Sequence, residues 1–517
     1  MVKIVINNIH SKIVGFIPEE VTADLDKSLS YELKSARYVP SVKAGNWDGV
    51  FRLYLKHRGQ SFYTGLLSFV REILEKHNVK FEIEDRRLKP EQNLPHLKFE
   101  PPADWGYEER DYQTFTLDRA VKFTRGLLSM CTGAGKTVVV TKLISQIKTY
   151  PFVFYVLTKD LMEQAHKTLS ACLNEPIGMI GDGLCDIQKI NVCTIQTAIR
   201  AINGENKVNI NDYKYDEEDA WDEKQIEGQD KIDAIKQMIA QAKGIYLDEA
   251  HHAAAKTAVE VMEASPNAYW RFGGTATPYR EDGDEIMIQA MFGTKIVHIK
   301  ASYLIQKGVL VKPYIFMVPV NSAVNLHSYQ KIYKQCITEN KELNDSVIKT
   351  ANHLKSLDLS CLILVNHYPQ GDYIKTNMED TEFVTGRMTT KKRSESIDKL
   401  RQGDIKCMIA TSLADEGLDV PTLNSALLAG GGASASRVYQ RIGRTLRKDP
   451  KKPKDKAIVV IYTHNARYLE KHALKVRRLL KKEPEFAIIE SKGLEYICDE
   501  IDELLGIKKK DNGLFEI

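Results

Sequence analysis

Two series of short apolar runs constrain this chain more than any other feature. The first comprises "RGLLSM", "FVFYVLT", "INVCTIQT" and "GIYLDEA"; the second comprises "LSCLILVNH", "TEFVTG", "KCMIATS", "LNSALLAG" and "KAIVVIYTH". Stretches with helical spacing separate them. Runs this short and this apolar need burial on both faces, which a parallel sheet covered by helices provides. The pattern predicts two α/β domains in tandem, joined near 300 to 320.

A chain of 517 residues has room for about three domains, and a third precedes the first series. Residues 1 to about 86 read as a small α+β unit. The strands "VKIVINNI" and "KIVGFI" lead to a helix beginning near Glu19, then to the turn and strand "AGNWDGVFRLYL" and the helix "GLLSFVREILEKHN". The proline-dotted segment 87–106 reads as a linker. Hydrophobic residues make up 43% and charged residues 27%, ordinary for a soluble chain. No apolar run approaches the roughly 18 residues of a membrane span, and the start lacks the apolar stretch of a signal peptide. Eight cysteines without a CxxC pair or zinc-like spacing predict reduced thiols in the cytoplasm.

Net charge is only +4, too mild to announce a nucleic-acid partner, but its distribution is uneven. Residues 211–233 are strongly acidic, between two strands, and read as an exposed insertion over about 205–235. Residues 448–482 carry twelve Lys and Arg against three acids. Within them "ARYLEKHALKVRRLLKKEP" has an apolar stripe of Leu469, Ala473, Val476, Leu479 and Leu480. Its basic face fits either phosphate contact or a solvated surface helix.

The chemistry concentrates in "CTGAGKT". It follows an apolar strand and precedes a helix-compatible stretch, the setting in which a glycine loop cradles phosphate. Met130 stands where G-x-x-x-x-G-K-[ST] has its first glycine, but the TGAGKT core keeps the cradle. Gly133 and Gly135 let backbone N–H groups close on phosphate oxygens, helped by the helix N-terminus; Thr132 and Ala134 complete the loop. Lys136 is expected to reach the β- and γ-phosphates, and Thr137 to give its hydroxyl to Mg2+. "GIYLDEAHH" sets two carboxylates after an apolar strand. One suits a Mg2+ shell and the other orients water for hydrolysis, roles assigned to Asp248 and Glu249 respectively. Arg444 and Arg447, three apart, are expected on one helical face, where a planar guanidinium fork meets phosphate bidentately.

With these residues the chain resembles the superfamily-2 helicases over roughly 107–465, and further motifs follow in order. "ERDYQ" is similar to the Q motif, making Gln113 and Arg110 the implied adenine readers. "YVLTKDLMEQAHKTL" and "VCTIQTA" resemble the backbone-touching motifs, implying nucleic-acid contact by Thr194 and Gln196. "GGTATPYR" resembles motif III, implying that Thr275 and Thr277 couple the two sites. "ATSLADEGLDVP" resembles motif V, placing Gly417 and Asp419 at the nucleotide and Thr411 at nucleic acid. "QRIGRTLR" matches motif VI, which adds Gln440 to the two arginines; His251 joins the catalytic set from motif II. The resemblance implies an α/β fold of two tandem RecA-like parallel-sheet domains, 107–305 and 306–465. A small N-terminal α+β domain precedes them, and a basic helical region follows over 466–517.

"GNWDG" in that N-terminal domain resembles the UvsW-type recombination helicases of tailed bacteriophages. "TATPYRED" resembles the XPB-like branch, with Arg280 in a segment linked to duplex opening. Together these imply an ATP- and Mg2+-dependent DNA helicase or translocase. It would act 3′-to-5′ on junctions, stalled forks and R-loops, displacing RNA from the last, in a bacterial host cytoplasm and without a membrane. Trp47, between Lys43 and Arg52, either stacks at a DNA junction or pins a turn onto its own core. An RNA helicase and an ATP-switched DNA clamp share these motifs and stay open. A nuclease rests only on Glu490 and Lys492 of "AIIESKG".

Overall fold

The computed structural model describes residues 1–33, 36–91, 97–204, 225–252, 256–276, 285–322, 324, 326, 328–411, 423–431, 435–448 and 454–507. Among them the chain divides into two compact units, one of Met1–Met130 and Ala134–Ile299, the other of Cys131–Gly133 and the residues from Lys300 onward.

The first unit opens with the small domain. Its strands are β1 (Val2–Ile6), β2 (His10–Val14), β3 (Ser30–Glu32), β4 (Val50–Arg52), β5 (Tyr54–Leu55), β6 (Ser61–Tyr63) and β7 (Phe81–Asp85). β5-β6-β2-β1-β7 form one mixed sheet, and β3 pairs with β4 alone. Helices Glu19–Ser28 and Leu67–Lys76 bury Val21, Leu25, Val70, Ile73 and Leu74, the apolar stripe their spacing predicts.

Eight strands follow: β8 (Arg125–Met130), β9 (Phe152–Val156), β10 (Ile177–Gly181), β11 (Leu184–Asp186), β12 (Ile190–Thr194), β13 (Gly244–Leu247), β14 (Trp270–Thr275) and β15 (Lys295–Ile299). Their order is β11-β10-β12-β9-β13-β14-β8-β15, parallel except for the edge hairpin of β10 and β11. β9, β12 and β13 are buried at every residue, as their unbroken apolar runs require.

The small domain is joined to this sheet by direct packing. Gly65 lies so close to the helix Glu285–Phe292 that a Cβ there would stand 2.1 Å from the Gln289 carbonyl oxygen. The Tyr63 hydroxyl donates to Glu263 at 2.5 Å, Asn8 Nδ2 donates to the Pro266 carbonyl at 2.9 Å, and Arg125 Nη1 donates to the Asn8 carbonyl at 3.3 Å. One continuous apolar cluster contains Ile4, Phe62 and Leu66 together with Leu127, Ala290 and Phe292. The segment 87–106 is likewise tied down where it is described: Arg87 donates to Thr124, and Phe99 bridges to Leu173.

The second unit carries β16 (Lys312–Val320), β17 (Cys361–Val365), β18 (Thr381–Val384), β19 (Cys407–Thr411), β20 (Ser425–Leu428), β21 (Lys456–His464) and β22 (Ala487–Glu490). Their order is β18-β19-β17-β20-β21-β16-β22, parallel throughout. The fold is therefore the expected pair of RecA-like parallel sheets with a small N-terminal α+β domain. Residues after 466 add to the second sheet as well as forming helices. Arg467–Leu480 buries Leu469, Val476 and Leu480, and "AIIE" is β22, an edge strand paired with β16. Glu490 in that strand pairs with Arg477, a structural use of the residue that suggested a nuclease. Among the described residues no helix is long and apolar enough to cross a membrane.

Candidate active site

β13, β14 and β8 are neighbours and end on one edge of the first sheet, where open α/β sheets hold their ligands. Beyond β8 the chain turns into the helix Lys136–Ile147, with Gly135 as its N-cap at φ +79°. A side chain would strain that left-handed backbone, so glycine here lets the helix begin directly after the strand. Lys136 is its first residue. Its Nζ donates to Glu249 Oε1 at 2.8 Å and lies 3.5 Å from Asp248 Oδ1. Burial works to lower the Lys136 pKa, but the carboxylates of Glu249 and Asp248 outweigh it and hold the ammonium above the ordinary lysine value.

The two carboxylates behind β13 are pushed in opposite directions. Burial raises Glu249, yet Lys136 and His251 more than reverse this and hold it well below the usual carboxylate range. Asp248 is raised by burial, which the pull of Lys136 only partly offsets, with Glu249 adding to the rise. Glu249 is also left-handed, at φ +49°, a conformation costing about 1–2 kcal/mol outside glycine. Its partners fix it there: Lys136 on one oxygen, and His251 Nδ1 at 3.3 Å from the other. His251 Nδ1 also lies 3.2 Å from Thr275 Oγ1 at the end of β14, so motifs II and III meet through this imidazole.

The Q-motif residues brace the loop from the helix Asp111–Phe123. Gln113, 3% exposed, accepts from the Arg110 backbone N–H at 3.2 Å. Its Nε2 stands 3.0 Å from where a Cβ on Gly135 would lie. Tyr112 was not foreseen. Its hydroxyl accepts from Arg110 Nη1 at 3.0 Å and donates to the Ala134 carbonyl at 3.1 Å, inside the loop. Tyr246, also unforeseen, donates its hydroxyl to Asp248 Oδ1 at 3.2 Å. Both are buried tyrosines beside motif residues, and a phenol in a core needs a partner for its polar tip. That was the available signal.

Other expected residues stand on different elements of the chain. Thr194 is buried and caps the helix Ile195–Asn203, accepting from the Thr197 N–H at 3.3 Å; Gln196 is half-buried in its first turn. Thr411 is buried at the end of β19. Gln440 and Arg444 are half-buried on the helix Ala435–Thr445. That helix stops before Arg447, which instead bridges by its backbone to Leu310, so the two arginines do not share one regular helical face. Trp47 is half-buried, donating Nε1 to the Val50 carbonyl at 3.1 Å and meeting the Phe51 ring edge-on at 4.9 Å. Arg52 is held by Asp48 at 2.6 Å and Asp26 at 3.5 Å, while Lys43 is exposed. Thr277, Arg280, Gly417, Asp419 and residues 205–224 of the acidic insertion lie outside the described residues.

An ammonium, two carboxylates and a threonine hydroxyl at a helix start form a donor set suited to a nucleotide triphosphate with Mg2+. The family profile for the type III restriction enzyme res subunit matches residues 106–280, and that for the helicase conserved C-terminal domain matches residues 330–449. The DNA 3'-5' translocase XPB2 of Sulfurisphaera tokodaii is 24% identical over 400 residues, 69% of this chain and 82% of its own length. A helicase-type protein of Sulfolobus islandicus filamentous virus (isolate Iceland/Hveragerdi) is 28% identical over 249 residues, 45% of this chain. The chain spans about half the length of several curated relatives it matches: 44% of that viral protein, and 54% and 50% of two haloarchaeal ones. The crystal structure of UvsW from bacteriophage T4 aligns over 95% of this chain and 99% of its own, at 18% identity and a TM-score of 0.44.

Proposed function

The chain belongs to superfamily 2 of the helicases, and we propose that it is an ATP-driven DNA motor. Its substrates are branched DNA (junctions, stalled forks and R-loops), and its polarity is 3′-to-5′. The observation that carries the reading is the cluster of Lys136, Asp248 and Glu249 at the phosphate loop. In this reading the loop N–H groups and Lys136 grip the β- and γ-phosphates, exchanging the lysine's carboxylate partners for phosphate oxygens. Thr137 and Asp248 would hold Mg2+, which would supply positive charge beside those phosphates. Glu249, released by Lys136 and still facing His251 through its other oxygen, orients the attacking water. Arg110 and Gln113 read adenine. Arg444 and Arg447, aided by Gln440, supply positive charge to the transferred phosphoryl group. Gly417 and Asp419 complete the nucleotide contacts.

DNA, rather than RNA, is favoured by the relative whose name states DNA translocation and by the basic helix Arg467–Leu480. Thr194, Gln196, Thr411 and Arg280 are the proposed backbone contacts, with Lys43, Trp47 and Arg52 at a junction. The buried cap role of Thr194 restricts it to contact through its own turn.

The test is steady-state ATP hydrolysis at fixed salt with single-stranded, duplex and four-way-junction DNA and matched RNA. We expect strongest stimulation by branched or duplex DNA. Lys136→Ala and Glu249→Gln should each lower turnover about 100- to 1,000-fold, the scale of losing a preorganised transition-state group. Stimulation chiefly by RNA would reject the DNA assignment, and normal turnover in a folded Lys136→Ala protein would reject the site.

A further inference from the structure

The second unit contains a buried junction that the motifs do not explain. Glu483, from the segment "KKEPEF" after the basic helix, is 7% exposed, and both of its carboxylate oxygens are engaged. Oε1 accepts from the Tyr439 hydroxyl at 2.6 Å, and Oε2 accepts from the Ser302 backbone N–H at 2.9 Å. Tyr439 lies on the helix Ala435–Thr445, directly before Gln440 and five residues before Arg444. Ser302 lies at the start of the helix Ala301–Gln306, the first element of the second unit. The same segment returns two more bonds to that short helix: the Glu485 N–H donates to Ser302 Oγ at 3.2 Å, and Gln306 Nε2 donates to Glu485 Oε1 at 2.8 Å. Phe486, 7% exposed, stacks on the Tyr439 ring at 5.9 Å.

A buried carboxylate is tolerated only when donors satisfy it, and removing one donor costs more than the bond's net worth. Here the donors come from two different helices, so satisfying the charge fixes both helices to one point. Burial, reinforced by Glu483, also holds the Tyr439 phenol protonated far above its ordinary range, so it stays a donor at any physiological pH.

We propose that Glu483 is a positioning residue, setting the arginine-bearing helix against the first helix of the second unit through Tyr439 and Ser302. Movement that reaches the chain at residue 300 is thereby passed to Arg444 as a rigid displacement. This rests on the reading of Arg444 as a cation of the hydrolysis step.

The experiment compares Tyr439→Phe, Glu483→Gln and Arg444→Ala in the full chain. It measures kcat and KM for DNA-stimulated ATP hydrolysis, fluorescent ATP-analogue binding and the thermal midpoint. Tyr439→Phe should lower kcat about 10- to 100-fold, the effect of misplacing a reacting group by about 1 Å. KM and analogue affinity should stay within about twofold, because the interaction is assigned to the transition state. Glu483→Gln, which keeps one acceptor oxygen, should lower kcat less than Tyr439→Phe does. Adding Tyr439→Phe to Arg444→Ala should lower kcat no further, as for residues acting as one unit. Wild-type kcat in Tyr439→Phe beside an inactive Arg444→Ala would overturn the positioning role alone. Wild-type kcat in Arg444→Ala would instead overturn the reading on which it rests. If Tyr439→Phe does not fold, Glu483→Gln is judged by the same split of kcat from KM. A loss there matched by raised KM and a lowered thermal midpoint reduces the junction to scaffolding.

Discussion

Tyr112 shows what a single buried hydroxyl can do at the phosphate loop. It takes a hydrogen bond from Arg110 and gives one to the Ala134 carbonyl, joining a proposed base-reading residue to the loop that would hold phosphate. Tyr112→Phe keeps the ring and its packing and removes only this link. A buried carbonyl losing its donor costs about 1–2 kcal/mol, roughly 5- to 30-fold in nucleotide affinity. We expect KM for ATP to rise by that factor and discrimination against GTP to fall with it; unchanged selectivity would confine Tyr112 to packing. The charged members of the site were legible because lysine and paired acids after apolar strands are costly to bury without a purpose. Tyr112 and Tyr246 were not, since aromatics at core positions of a helix and a strand look like ordinary packing until the partner of the hydroxyl is seen. The strained backbone of Glu249 was equally invisible, because no residue type announces a positive φ.

At the scale of elements, every apolar run of the two series became a strand of the expected sheets. Other strands escaped: β14, β15 and β16 stand outside the two series although their runs are apolar, β16 occupying the stretch read as the join, and three more have surroundings that dilute the pattern. β7 ("FEIED") is charged because it is an edge strand, β10 ("IGMIG") is interrupted by glycines, and β22 ("AIIE") is too short to register. The attachment of the small domain escaped for another reason: it depends on Gly65 meeting the end of a distant helix, a long-range contact with no local signature. Gly65→Ala tests it. The added methyl would press on the Gln289 and Ala290 carbonyls, backbone atoms that cannot rotate away. Overpacking of this kind costs about 1–3 kcal/mol. The expected outcome is a lower midpoint for the first unit in chemical denaturation, with hydrogen exchange faster in both Glu285–Phe292 and Leu67–Lys76. A faster exchange limited to Leu67–Lys76 would mean that the contact does not couple the two elements.

For the whole molecule, the consequence is that the small domain and the first RecA-like sheet fall in one compact unit. The small domain and the first RecA-like sheet share one apolar cluster, and Arg125, Tyr63 and Asn8 add polar ties across the join. A module meant to swing on a linker would have an interface of its own that tolerates water; here the core is continuous, so separation would expose apolar surface on both sides. A chain lacking residues 1–86 is therefore predicted to lose stability in the unit that carries Lys136 and Glu249, although both lie far along the sequence from the cut. Calorimetry of the full chain should show residues 1–86 melting together with the first sheet, with the second unit melting as its own body. The truncated chain should bind ATP weakly and aggregate on mild warming, as expected when a shared core is opened. A truncated chain with the full-length thermal midpoint and ATP affinity would show that the small domain is an independent attachment. Loss of action on DNA junctions after its deletion could then be assigned to direct contact by Lys43, Trp47 and Arg52. If the truncated motor is crippled instead, that assignment requires substitutions at those three positions in the intact chain, where the core is left closed.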